Sequence, residues 1–271
     1  ETDLDAAYLF LQIVVDEPVV SDTQTCGNLL AGVGPFAIER GLIEARDGET
    51  PVRIRMVNTG DVASTSIRTP GGVVDYDAAI ELDIAGGSGL LPTGNIVDEI
   101  DGHRVTLIDN GMPVVLLTAE EFGVDGSESP EQLEWRADLV AAVESVRLRA
   151  GERMGYGDVA DQTVPKMFLL SAPRDGGAIS TRAFIPSRVH TAIGVLMAAS
   201  VAAGIRIPGA VGSDLAVGAD SDPVLIEHPS GTFPARVTVE RSPDGDWCGT
   251  SVAERTARKI FDGTVFPRPR L

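Results

Sequence analysis

The chain has 271 residues and is strongly acidic, with 40 Asp and Glu against 22 Lys and Arg and a formal net charge of −18 at pH 7. That balance excludes the basic face that nucleic-acid binding needs and the polybasic contact that anionic membranes attract. Hydrophobic residues make up 43% of the sequence, which is enough for a sizeable core and excludes a disordered chain.

The two cysteines, Cys26 and Cys248, do not form a disulfide framework, so a reduced, cytoplasmic setting is expected. The start, Glu1-Thr2-Asp3, is acidic and polar, unlike a signal peptide. The chain begins without Met just before a strand-like run, Tyr8 to Val15, so an N-terminal segment is expected to be missing or processed.

Cys26-Gly27-Asn28 then opens an apolar helix expected to run to Gly41, with a kink at Pro35. A thiol at a helix start sits where unpaired N–H groups and the helix dipole favour negative charge. Gly27 permits close approach to the backbone, and Asn28 adds an amide able to bind a carboxylate. The trio reads as a proton-transfer centre beside an anion site. The alternative is a small buried Cys at a helix N-terminus. A strand follows at Val52–Val57.

Pro70-Gly71-Gly72 and Gly86-Gly87-Ser88-Gly89 read as loops. Pro92-Thr93-Gly94-Asn95 is a polar turn able to present N–H groups and a side-chain amide. Val105–Asp109 and Pro113–Thr118 read as a hairpin around Asn110-Gly111. Pro130 to Ala150 reads as an amphipathic helix, with Ser129 as N-cap, Gln132 completing a capping box and Gly151 ending it.

Lys166, in VPKMFLL, is either a snorkelling strand lysine or a buried cation facing a cleft. Arg182 lies in a strand-like run. Arg188, His190 and Thr191 cluster at the expected start of a second buried helix, AIGVLMAASVAAGIRIPG, where an anion site would form. Its longest near-apolar run, Ala192 to Ala203, is too short to span a bilayer. Strands follow at Val224–Glu227 and Ala235–Val239, with a turn at His228-Pro229-Ser230-Gly231 between them. His103, His190 and His228 lack metal-ligand spacing, and no nucleotide loop or nucleophile elbow is present, so neither metal nor organic cofactor is expected.

Two copies of one plan, an apolar helix followed by β-rich sequence, suggest an α+β fold with two similar domains, each a central buried helix wrapped by a mostly antiparallel or mixed sheet. The expected division is 1–128, a connecting helix at 129–151, and 152–271.

The stretches TCGNLLAGVGPFAIERGLI, VRIRMVNTG, LLPTGN, IDNGMPVV, RLRAGERMG, VPKM, SAPRDGG, RAFIPSRVHTAIGVL and RTARKIFDG together resemble the family of 4-oxalomesaconate tautomerase and 2-methylaconitate isomerase, related in fold to diaminopimelate epimerase. They span residues 25–263. IDNGMPVV with LLPTGN leans toward the tautomerase branch, whose setting is the breakdown of aromatic compounds such as gallate and protocatechuate. The resemblance implies two facing α+β domains, a site in the cleft between them, and a cofactor-free proton shift on a small unsaturated tricarboxylate. It implies Cys26 as acid/base, with amides at Gly27, Asn28, Gly94 and Asn95 on substrate carboxylates. Thr93, Lys166, Arg182, Arg188, His190 and Thr191 complete the candidate binding set. Members also use a lysine upstream of the cysteine, in a segment that this chain does not include. The second helix opens with His190-Thr191, so a matched thiol pair is absent, which favours tautomerisation or a 1,3-shift over racemisation. A catalytically silent binding protein, or one part of a two-piece enzyme, is the alternative from a different class. The expected partners are the tricarboxylate and, in one arrangement, a second copy of the chain.

Overall fold

A computed structural model describes residues 4–13, 20–22, 25–85 and 89–266. Apolar and polar residues alternate along β4 (Gly48–Met56), so Val52, Ile54 and Met56 are buried while Arg53 and Arg55 are exposed. A strand of this pattern covers a core with one face only. It follows β1 (Ala6–Tyr8), β2 (Gln12–Ile13), β3 (Val20–Ser21), α1 (Gly27–Leu30) and α2 (Val33–Glu39). The same alternation recurs in β5 (Val62–Thr69), and β6 (Ile80–Ala85) buries Ile80, Leu82 and Ile84.

After β7 (Asp98–Ile100) the pattern changes. β8 (His103–Asp109) and β9 (Pro113–Thr118) are buried on both faces. They precede α3 (Pro130–Glu134), α4 (Ala137–Arg153) and β10 (Lys166–Ser171), which is buried almost throughout. Leu107, Val115, Leu117, Met167 and Leu169 share one core with α4. Ile108, Val114, Leu116, Phe168 and Leu170 share the other with α5 (Val195–Arg206), all but the last of whose residues are buried. Gly204 lets α5 lie against β9, since a Cβ there would come within 2.4 Å of Leu116 Cδ1.

The remaining strands are β11 (Ile179–Ile185), β12 (Arg188–Val189), β13 (Val224–His228), β14 (Gly231–Arg241) and β15 (Trp247–Arg255). Among the described residues one mixed sheet runs β1-β4-β5-β6-β15-β14-β13-β11-β10-β9-β8-β7, with β12 on β11. β14 joins its two halves by changing partner. Residues Gly231 to Ala235 pair with β13, and Arg236 to Arg241 pair with β15.

The sheet halves do not follow the division expected at residues 128 and 151. β8–β9 extend the half containing β10, while β15 returns to pair with β6. The two-faced hydrophobicity of β8 and β9 explains this, because only a position between α4 and α5 covers both sides. No helix of the described residues is long and apolar enough to cross a membrane.

Four local expectations are corrected. The helix expected from Cys26 to Gly41 is two short helices, because Pro35 cannot continue a helix through Ala31–Gly32 but fits the first turn of α2. Leu29 and Phe36 on them are exposed. The Pro130 helix keeps its Ser129–Gln132 capping box but breaks at Trp135–Arg136. Gly151 lies inside α4, buried against Val159. The second buried helix begins at Val195, after Gly194 rather than at Thr191. The preceding residues are drawn onto the sheet edge, where β12 pairs with β11 and His190 N–H donates to Ala183. The run expected at Tyr8–Val15 is β1 and β2, and its end lies outside the described residues.

Candidate active site

A cavity of about 260 Å³ lies where α1 meets α5, and Cys26, Asn28, Lys166, His190 and Gly194 line it. Cys26 is the N-cap of α1, in extended backbone (φ −130°, ψ 105°), and its carbonyl accepts from Leu30 N–H at 3.1 Å. The same carbonyl accepts from Tyr8 Oη at 3.4 Å. Burial first, then the charge of Cys26, pushes the Tyr8 hydroxyl up to about 12, so it stays a donor. Thr25 is anchored below by its hydroxyl against Met56 Sδ at 3.6 Å. These contacts fix the backbone that carries the thiol, from strands on one side and a helix on the other. α1 is a single turn, so the N–H groups of that turn, rather than a long macrodipole, provide the local positive end.

Gly27 is buried, and a Cβ there would lie 3.6 Å from Leu196 Cγ and 3.7 Å from Val195 Cβ. Its small size therefore serves the approach of α1 to α5. Asn28 is exposed at the rim, where its Oδ1 accepts from Arg255 Nε at 3.0 Å.

Lys166 enters from the opposite sheet half, at the first position of β10 and only 5% exposed. Its Nζ donates to Thr163 Oγ1 at 2.9 Å. Burial, helped by the nearby Arg147 guanidinium, pushes its pKa down to about 8. Arg147 is fully buried on α4, where it forks onto Glu144 and donates to the carbonyls of Val159, Gln162 and Val164. It thereby sets the course of the loop that delivers Lys166. His190 Nδ1 accepts from Ala192 N–H at 3.0 Å, which leaves Nε2 to carry the proton of the neutral ring.

The other sequence candidates lie elsewhere. Arg182 has the register of Leu169 and projects to the α4 side of the sheet, donating to Glu128 O at 2.8 Å. Arg188 pairs with Glu134 and is 83% exposed. Thr191 is held by its carbonyl, which accepts from Ser230 Oγ at 2.7 Å. Thr93 and Asn95 are turned onto the Asp98 carboxylate at 2.7 and 2.9 Å, and Gly94 lines a separate depression with Arg241 and Trp247. Cys248 sits in β15 opposite Glu240, outside the cavity. Among the described residues no three His, Cys, Asp or Glu side chains cluster as metal ligands.

A second cavity of about 360 Å³ adjoins the first across Thr25 and holds Asp61, Asp109 and Tyr156. Sequence reasoning missed this group, along with Tyr8 and Arg255. Asp109 and Arg255 lie in the stretches IDNGMPVV and RTARKIFDG, but their roles depend on contacts far apart in the chain.

Comparison with known proteins gives the family and the fold of the chain. The family model described as PrpF protein matches residues 1–268. This chain belongs to the PrpF family. It is 48% identical to a (4E)-oxalomesaconate Delta-isomerase of Novosphingobium sp. (strain KA1), over 97% of this chain and 78% of that protein. It is 49% identical to a 4-oxalomesaconate tautomerase of Pseudomonas putida, over 97% and 77%. The solved structure of a methylitaconate-delta-isomerase superposes with a TM-score of 0.78 at 25% identity, covering 100% of this chain and 82% of that one. The PrpF fold thus agrees with the α+β, epimerase-like architecture expected from the sequence.

Proposed function

We propose that this PrpF-family chain is an isomerase that moves a proton within an unsaturated tricarboxylate such as 4-oxalomesaconate, without a cofactor. The observation that carries the reading is the meeting of Cys26 and Lys166, from opposite halves of the sheet, in one cavity of a chain almost half identical to oxalomesaconate isomerases. A proton on the carbon beside the ketone is removed, and the C–H electron pair becomes an enolate. Cys26 exchanges that proton. The Lys166 cation, the His190 Nε2–H and the N–H groups at the start of α1 oppose the developing negative charge. The proton returns either to oxygen, completing a keto–enol tautomerisation, or to the far carbon of the allylic system, completing a 1,3-shift. Both outcomes conserve atoms and electrons. A substrate of this class fits the cytoplasmic breakdown of aromatic acids such as gallate or protocatechuate.

The test is an ultraviolet assay of oxalomesaconate conversion beside a 2-methylaconitate assay, repeated in D₂O with NMR detection. Deuterium found on the far carbon marks the 1,3-shift, and exchange confined to the keto–enol positions marks tautomerisation. Cys26→Ser should lower turnover by about 10²- to 10⁴-fold, the usual cost of losing an acid/base group, while the fold persists. Near-normal turnover in that variant refutes the assignment. Conversion of 2-methylaconitate alone shifts the substrate to that runner-up.

A further inference from the structure

Arg255 ends β15, 227 positions from Asn28, to which it donates. Other arginines, such as Arg147, Arg149 and Arg236, pair with carboxylates of the chain. Arg255 has no carboxylate partner among the described residues. Its Nη1 donates to the carbonyl of Glu254, and its guanidinium carbon lies 5.2 Å from the Phe233 ring centroid. Its Nη2 makes no hydrogen bond among the described residues. The side chain is half-buried, and that burial pushes its pKa down with no opposing charge to offset it. A cation removed from water is costly unless it is paired.

The setting matches this chemistry. Arg255 and Phe233 face each other across the fork where β14 leaves β15. The crevice there, about 330 Å³, is also lined by Ser251, whose buried hydroxyl has no hydrogen-bond partner among the described residues. Val195 lines both this crevice and the Cys26 cavity, so the two are neighbours. Because Asn28 Oδ1 accepts from Arg255, the amide NH₂ is the free end of that side chain. Two N–H donors, Asn28 Nδ2 at the cavity that holds the thiol and Arg255 Nη2 in the neighbouring crevice, are therefore joined by the Arg255–Asn28 hydrogen bond.

We propose that Arg255 and Asn28 form a carboxylate subsite that grips the branch carboxylate of the substrate, the one that a tricarboxylate carries and an unbranched dicarboxylate lacks. The inference rests on the tricarboxylate reading above and adds the residue that selects for the extra carboxylate. Guanidinium is suited to the task because it binds carboxylate through a planar fork and stacks on an aromatic face at the same time.

Calorimetry tests this with propane-1,2,3-tricarboxylate, which has no double bond to move, and glutarate, which lacks one carboxylate. Wild type should bind the tricarboxylate more tightly. Arg255→Met should weaken that binding by about 10- to 100-fold, the usual cost of a charge-assisted hydrogen bond, and leave glutarate binding unchanged. Arg255→Lys should fall between. Unchanged tricarboxylate affinity in a folded Arg255→Met protein overturns the subsite, as does equal wild-type affinity for the two acids. If neither variant folds, phenylglyoxal labelling of wild type decides. Slower modification of Arg255 with tricarboxylate than with glutarate supports the subsite, and equal rates overturn it. Tricarboxylate binding through Arg255 without oxalomesaconate conversion would refute the proposed reaction alone. Conversion with an unchanged KM in Arg255→Met would refute the subsite alone.

Discussion

Replacing Asp109 by Asn should stabilise the protein at neutral pH and do progressively less as the medium becomes acidic. The carboxylate accepts from Tyr156 Oη at 2.8 Å and from Gly111 N–H at 3.0 Å, both of which favour its charge. Burial outweighs them, with help from the Asp61 charge, and pushes the pKa from 3.8 up to about 6. A carboxyl with a higher pKa in the folded chain holds its proton more tightly when folded. Its contribution is full below the unfolded value and is lost as pH rises through about 6. A shift of about two units corresponds to about 3 kcal/mol at pH values well above both. About half of that, roughly 1.5 kcal/mol, accrues between about pH 5 and about pH 8, and the rest lies below. Asn keeps an acceptor for Tyr156 and carries no charge to desolvate. Urea unfolding of wild type and Asp109→Asn at the two pH values isolates the term, because the chain's other titrations cancel in the difference. A stability gap that is the same at both values, or that widens toward acid, refutes the reasoning.

Lys166 is held at a pKa of about 8, so affinity for propane-1,2,3-tricarboxylate should be full well below that and decline as pH rises through it. Lys166→Met should bind weakly with a flat profile, and the same decline in the variant would place the titration elsewhere. Gly151→Ala should cost about 1–3 kcal/mol, because the added Cβ would sit 2.5 Å from Val159 Cγ2 inside a packed core. Chemical denaturation measures this cost, and an unchanged midpoint means that the α4 to Val159 contact yields freely. Arg188→Ala should leave KM unchanged, since its guanidinium pairs with Glu134 at the surface. A raised KM would return Arg188 to the binding set.

Patterns within a few residues were legible in the sequence. The period-two burial of β4, the hairpin at Asn110-Gly111, the Ser129–Gln132 capping box and the all-apolar α5 follow from local sterics and from which faces a segment must hide. The helix start at Cys26 was legible for the same reason. Positions depending on competition between distant partners were not. Asp98 captures Thr93 and Asn95, Glu134 captures Arg188, and the parity of β11 turns Arg182 to the far face. Lys166 illustrates the boundary. The sequence left it as either a snorkelling lysine or a cleft cation, and only the packing of α4, through Arg147 and the loop it fixes, sends it into the cavity. Arg255 opens the stretch RTARKIFDG, but its role was not legible there. A guanidinium acquires a role from the charges around it, and β15 meets Asn28 only when the sheet folds back to pair its last long strand with β6.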